Sequence, residues 1–442
     1  MLTRRAGTLL VLSALVSAVS VSWAVVLGVA VLVVAAVDGR RAPTPTVGRR
    51  VVGDRSLNAV VDVVVDVAFP EGERTERTLR TVRVTDDLGS GMERLPWGGD
   101  DTVVDASSPT GAMVEVVGDT GTRVGYRLAL RKRGDLLLGD VHLRVMGPLG
   151  LGWGPKRVPM EDRIRVQPGM EELRRERMAA LRPHMLMAGL RRLRRFGEGT
   201  EFESLREYGR GDDPRTIDWK ASARRTDLLV RNYQVERNQS VVLALDAGRL
   251  MREWIHDRER LDFAISAALL VAERARVFGD RVGLLVFDDR VRLVRPVSRM
   301  DLGELSDALA GIESRLVEPN YPMAFATLKR TFRKRSLVIL FSDIIDAAAS
   351  RALVQGAVST AARHLPMVVA LRNPEVEEVA SRPGRTEADV FRQAAAEELL
   401  EARAGALQSM RRSGVQVVDA LPGAACHATL AKYAEVKRRG LL

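Results

Sequence analysis

Two aspartates stand where short apolar runs stop: Val241 to Leu245 leads into Asp246, and Leu337 to Phe341 leads into Ser342-Asp343. Carboxylates at the ends of neighbouring strands offer hard oxygen ligands, the kind Mg²⁺ takes while keeping several of its waters. Asp346 lies close by in the sequence, and so does Arg249, a cation that competes for the same carboxylates. A weak Mg²⁺ site at Asp246 and Asp343 and a structural Asp–Arg arrangement without metal are both open readings. A second concentration of charge interleaves Glu201, Glu203, Glu207, Asp212, Asp213 and Asp218 with Arg206, Arg210, Arg215, Lys220, Arg224 and Arg225. A two-metal hydrolase gathers acids from separated segments and keeps them clear of arginine, so balanced charge favours ion-paired packing. The preferred readings are an interdomain clasp with Trp219 and Tyr208 as its apolar anchors, or a partner-binding surface that also uses Phe202. A metal-dependent hydrolase on the 201 to 218 acids is the alternative.

Other chemistries lack their residues. Cys426 is the single cysteine, and the five histidines are scattered apart from His427, which follows it directly. No pair has zinc spacing, and no cysteine is placed as a nucleophile. Gly197/Gly199 and Gly209/Gly211 are not followed by Gly-Lys-Ser or Gly-Lys-Thr, so no phosphate loop is predicted. The expectation is a non-enzymatic protein with no cofactor beyond the doubtful Mg²⁺. The 68 Lys plus Arg outnumber 57 Asp plus Glu, for a net charge of +11. Such a balance suits nucleic acid, anionic lipid or retention on the cytoplasmic side of a membrane. From Met170 to Phe196 the chain reads as a basic helix with one break at Pro183, carrying Arg174, Arg175, Arg177, Arg182, Arg191, Arg192, Arg194 and Arg195. A membrane-tethered nucleic-acid binder is the alternative this run raises; a solvated face, or one touching lipid headgroups, is preferred, with no nucleic acid as partner.

These groups must be positioned by three kinds of element. No residue from Ala6 to Val37 is charged, and arginines flank the stretch on both sides. It is too long for one upright span and short for two. Ser20-Val21-Ser22-Trp23 in its middle reads as a turn, so residues 1–41 are predicted to form a transmembrane hairpin with both termini in the cytoplasm. One long tilted span and a cleaved signal peptide are the alternatives. Residues 46–168 show period-two alternation, with strands expected near 58–69, 78–86, 112–118, 122–132 and 137–146, an Ig-like β-sandwich resting on valine and leucine. Residues 169–240 hold the basic helix and the charged segment. From 241 to 442 apolar strands alternate with amphipathic helices, which predicts a doubly wound α/β domain of Rossmann type with its ligand site beyond the strands' carboxyl ends.

The block Gly197-Glu198-Gly199-Thr200-Glu201-Phe202-Glu203-Ser204-Leu205-Arg206-Glu207-Tyr208, continuing through Gly211-Asp212-Asp213-Pro214-Arg215-Thr216-Ile217-Asp218-Trp219-Lys220-Ala221-Ser222-Ala223-Arg224, resembles the signature of the bacterial domain of unknown function 58 family. Arg131-Lys132-Arg133-Gly134-Asp135, Gly147-Pro148-Leu149-Gly150-Leu151-Gly152 and Val166-Gln167-Pro168 resemble it too. The resemblance implies a membrane protein with a von Willebrand factor A-like domain that works beside a MoxR-type AAA+ ATPase, in assembling or remodelling envelope complexes. The anchor, the switch-point cleft and the absence of a nucleophile, metal cage or phosphate loop predict a membrane-anchored scaffold that docks a protein partner, and the flanking arginines predict that the bulk of the chain faces the cytoplasm. Von Willebrand A domains hold metal through an Asp-x-Ser-x-Ser turn, a later threonine and an aspartate after the fourth strand. Here the turn reads Asp246-Ala247-Gly248-Arg249-Leu250 and the later loop Glu318-Pro319-Asn320-Tyr321-Pro322, so the adhesion site is degenerate.

Overall fold

Period-two alternation places valines on one face of a strand, and in the computed structural model those faces meet. The structure describes residues 3–15, 21–69, 79–100, 102–109, 111–117, 121–169, 201–209, 217–224, 227–234, 239–344 and 350–441. They fall into two units, Met1–Gln167 and Pro168–Leu442.

The first unit opens with helices α1 (Arg4–Leu15) and α2 (Val21–Arg40). At 1.5 Å per residue α1 reaches only about 18 Å and α2 about 30 Å, the thickness of a hydrocarbon core. Among the described residues α2 alone is long and apolar enough to cross a membrane. The expected hairpin of two spans is therefore corrected to one spanning-length helix preceded by a shorter one. Ser22 and Trp23, read as the turn, belong to the first turn of α2.

Ten strands follow: β1 (Thr46–Val52), β2 (Val60–Ala68), β3 (Leu79–Leu88), β4 (Met92–Leu95), β5 (Val103–Asp105), β6 (Ala112–Val117), β7 (Thr122–Leu130), β8 (Gly134–Met146), β9 (Trp153–Val158) and β10 (Asp162–Val166). One sheet runs β1-β2-β7-β4 with β5 also on β7, and the other runs β10-β8-β3-β6 with β9 also on β8. Val61, Val63, Val65 and Val67 of the first sheet share one core with Val82, Val84, Leu143 and Val145 of the second. At the β8–β9 turn, residues 147–152 hold both ends of the helical segment. The buried Asp38 carboxylate accepts the Leu149 and Leu151 N–H groups at 2.8 Å each and that of Gly152 at 3.0 Å. Thr3 donates its hydroxyl to the Gly150 carbonyl at 2.7 Å. A Cβ at position 152 would run into the Ala35 carbonyl, so glycine is required there by the closeness of α2.

In the second unit β11 (Glu201–Glu207) pairs antiparallel with β12 (Leu229–Gln234), and the short helix α3 (Trp219–Ser222) lies between them in sequence. Next come β13 (Ser240–Asp246), a 3₁₀ turn at Arg249–Arg252, the two-residue strands β14 (Trp254–Ile255) and β15 (Arg258–Glu259), α4 (Arg260–Val277), β16 (Arg281–Phe287) and β17 (Val291–Ser298). Helices α5 (Leu302–Ala310) and α6 (Tyr321–Thr331) lead to β18 (Leu337–Ser342), and α7 (Arg351–Ala361) to β19 (Leu365–Leu371). Helices α8 (Pro374–Ser381) and α9 (Glu387–Arg412), β20 (Gln416–Ala420) and α10 (Pro422–Arg439) complete the chain.

The main sheet has the order β17-β16-β13-β18-β19-β20. Numbered by appearance this is 3-2-1-4-5-6, the doubly wound order, with the third strand antiparallel at the edge. One face is covered by α4, α5 and α10, the other by α6, α7 and the second half of α9. Every residue of β18 is buried, which is why it reads as an unbroken apolar run and not as an alternation.

Candidate functional site

The strand order reverses between β13 and β18, and Asp246 and Asp343 sit at their carboxyl ends as expected. The two carboxylates meet opposite environments. Asp246, 1% exposed, accepts the Gly248 N–H at 2.8 Å on one oxygen. Its other oxygen accepts the Ser342 hydroxyl at 2.7 Å and the Tyr321 hydroxyl at 3.0 Å. Burial pushes this carboxyl up to about 6, against the pull of those three hydrogen bonds and with a further push from the Asp343 charge. Tyr321 is raised well above its ordinary value, by burial first and then by the Asp246 charge.

Asp343 is held by guanidinium groups. Arg260 pairs with one carboxylate oxygen, and Arg403 donates to the other at 2.7 Å. Arg403 also donates to the Ile344 carbonyl at 2.6 Å and to Asp419 at 3.0 Å. Arg260 lies at the start of α4, is 0% exposed, and bonds Glu253 with its second terminal nitrogen. Glu253 in turn accepts from the Asn373 amide. Both Asp343 oxygens are thus committed to arginine and both Asp246 oxygens to protein donors, so this donor set does not fit a divalent cation. Among the described residues no group of three or more His, Cys, Asp or Glu is arranged to hold one.

The structural Asp–Arg reading therefore carries the site, with a correction to its partner. Arg249 turns away to pair with Glu318 at the surface, and the neutralising cations are Arg260 and Arg403. Neither was legible, because each lies in a helix where an arginine ordinarily faces water. The hydroxyls that the degenerate turn lacks come from Ser342 and from Tyr321, the latter inside the very loop that shows no threonine.

Above these carboxylates a cleft of about 520 Å³ opens between the 3₁₀ turn and the α8–α9 pair. Asp343 and Arg403 form part of its floor; Arg252, Trp254 and Leu316 stand on its wall. Trp254 is 49% and Leu316 73% exposed. Arg252 is exposed with no hydrogen-bond or ion-pair partner among the described residues.

Much of the charged segment lies outside the described residues. Glu201, Phe202 and Arg206 belong to β11, with side chains outside the described residues, as are Asp212, Asp213 and Arg215 altogether. Asp218 caps α3, accepting the Lys220 and Ala221 N–H groups at 3.1 Å each, a structural duty rather than one of a free base. Trp219 is 66% and Tyr208 37% exposed, so neither is a buried anchor. Lys220 and Arg224 are exposed as well. What α3 buries is Ser222, whose hydroxyl accepts the Leu229 N–H at 2.8 Å, against the buried Leu229 and Val230.

Strand order, switch-point aspartates and helices on both faces define a doubly wound α/β domain. Residues 204–389 match the family described as "Protein of unknown function DUF58". Uncharacterized proteins of Mycobacterium tuberculosis and Mycobacterium bovis are each 25% identical over 158 residues, which is 34% of this chain and 48% of theirs. The chain thus spans about half the length of the curated relatives it matches. Among solved structures, the SpRpn10 VWA domain aligns with 43% of this chain and 93% of its own, at 11% identity and a TM-score of 0.29. The vWF domain of the type V pili tip protein Mfa5 from Porphyromonas gingivalis aligns with 47% and 97%, at 12% identity and a TM-score of 0.27. An uncharacterized membrane spanning protein from Vibrio fischeri aligns with 44% and 98%, at 15% identity and a TM-score of 0.20.

Proposed function

We propose that this chain is a membrane-anchored, non-enzymatic scaffold whose carboxyl-edge cleft docks a protein partner without a metal ion. The observation that carries the reading is the floor of the cleft, where Arg260 and Arg403 occupy the Asp343 carboxylate that a metal-dependent site would need. With its floor saturated by internal charge, the cleft offers a partner its rim: the unpaired Arg252 and the half-exposed indole of Trp254. Arginine and tryptophan are the side chains that most often carry binding energy at protein interfaces.

Helix α2 anchors the chain in the cytoplasmic membrane, and the β domain, which we read as an Ig-like sandwich, stands next to it in the chain. In this reading the bulk of the chain faces the cytoplasm, in keeping with its basic balance of 68 Lys plus Arg over 57 Asp plus Glu. The partner that the family resemblance implies is a MoxR-type AAA+ ATPase engaged in assembling or remodelling envelope complexes.

The test is direct binding of the full-length chain to a purified, nucleotide-free MoxR-type ATPase, with and without EDTA. The expected outcome is an affinity indifferent to EDTA and weakened about tenfold or more by Trp254→Ala, the loss typical of an interface hot spot. Affinity abolished by EDTA, or untouched by both Trp254→Ala and Arg252→Ala, would overturn the reading.

A further inference from the structure

A second groove, of about 560 Å³, lies in the first unit, where the last turns of α2 run beside β9. Leu32, Ala36 and Arg40 face it from the helix, and Trp153, Pro155 and Lys156 from the strand. Its two halves differ in kind. The Leu32 side belongs to the apolar stretch of α2, with Leu32, Val33 and Val34 all exposed. The Arg40 side lies beyond the last apolar residue, Val37, and brings two cations and an indole together. Neither the Arg40 nor the Lys156 side chain has a hydrogen-bond or ion-pair partner among the described residues. Asp38, two residues before Arg40, is buried and committed to three backbone N–H groups, so it does not neutralise them.

In a helix that crosses a bilayer, residues just past the apolar stretch lie at headgroup level, where tryptophan is also favoured. A groove apolar on the membrane side and doubly cationic on the water side matches one amphiphile. We propose that it holds a single anionic phospholipid, its phosphate between Arg40 and Lys156 and one acyl chain along Leu32 and Ala36. Trp153 packs at the glycerol level between them. The β domain thereby takes part in lipid recognition, and β9 makes the site more than a diffuse basic collar. The inference rests on α2 spanning a membrane.

The experiment uses the full-length chain reconstituted in nanodiscs containing equal phosphatidylcholine and phosphatidylglycerol. Lipids retained by the protein after gentle detergent extraction are counted by native mass spectrometry. Two basic contacts predict roughly thirtyfold enrichment of phosphatidylglycerol. The Arg40→Gln/Lys156→Gln pair should bring the ratio to one with an unchanged thermal unfolding midpoint. The Arg4→Gln/Arg41→Gln pair removes the same charge near the same end of the helices but outside the groove, and should leave the enrichment standing. Equal loss in both pairs would mean diffuse surface attraction and overturn the site. Displacement of the lipid by soluble glycerol phosphate would make it a phosphate site and overturn the lipid assignment. A chain that enters the nanodiscs without preferring either lipid would overturn the groove alone. A chain that fails to enter them would overturn the anchor and the groove with it.

Discussion

Asp38 in the first unit and Asp343 in the second are both buried carboxylates, and the chain satisfies them by opposite means. Asp38 is surrounded by backbone N–H groups of one six-residue turn, whereas Asp343 is pinned by guanidinium groups from two helices far apart in sequence. A backbone cradle is local, and it requires glycine wherever the helix comes close. A guanidinium cradle is assembled only when the whole sheet has formed. It is also costly, since each buried ion must recover its lost hydration from its partners.

That contrast can be broken most severely at Arg260. Arg260→Ala leaves Asp343 and Glu253 buried with one cation fewer, and should cost about 3 to 5 kcal/mol in urea unfolding of the second unit. A cost under about 1 kcal/mol would show that Arg403 alone neutralises Asp343.

Asp246, beside Asp343 but held by hydroxyls, offers a pH-dependent effect. Its folded value of about 6 lies above the ordinary 3.8. A raised folded value contributes stability that is complete below about pH 4 and lost as pH rises through 6. Asp246→Asn removes that titration. Wild-type stability relative to the variant should therefore fall by up to about 3 kcal/mol between about pH 4 and pH 7, read from denaturant midpoints across that range. A flat difference would mean that water reaches the carboxyl.

Asp38→Ala should strand the three N–H groups of the β8–β9 turn and destabilise the first unit by about 1 to 3 kcal/mol, with earlier proteolysis at residues 147–152 as the local readout. The smallest effect is expected at Trp219, the residue that hydrophobicity alone would bury. Trp219→Ala on that exposed indole should change stability by less than about 0.5 kcal/mol, in contrast to the 3 to 5 kcal/mol typical of a truncated core aromatic. Retained stability with weakened partner binding would place Trp219 in an interface.

Legibility in the sequence follows the same division between local and assembled structure. The alternation in β2, β3, β6, β7 and β8 is visible because each has one face on a shared core. Strand β1 escaped because Arg49 points inward, donating to Asp86 and to Asp162 at 2.6 Å each, and so breaks the alternation. In the second unit the buried strands and long amphipathic helices were readable, whereas α8, only eight residues long and burying none of them, was missed. Asp246 and Asp343 were found because strand ends in a doubly wound sheet are predictable places. Their partners were not, because a buried arginine has the same letter as a solvated one. Trp219 misled for the complementary reason, since an exposed aromatic residue has the same letter as one in a core.

The turn that cradles Asp38 also grips Thr3, and it joins β8 to β9, while β8 is hydrogen-bonded to β3, β9 and β10. Such an attachment has no swivel. If a bilayer thins and α2 leans to keep its apolar length covered, the torque passes through residues 147–152 into the strand that three others are laced to. With α2 in a bilayer, any lean of the helix would therefore reach the β domain through that turn.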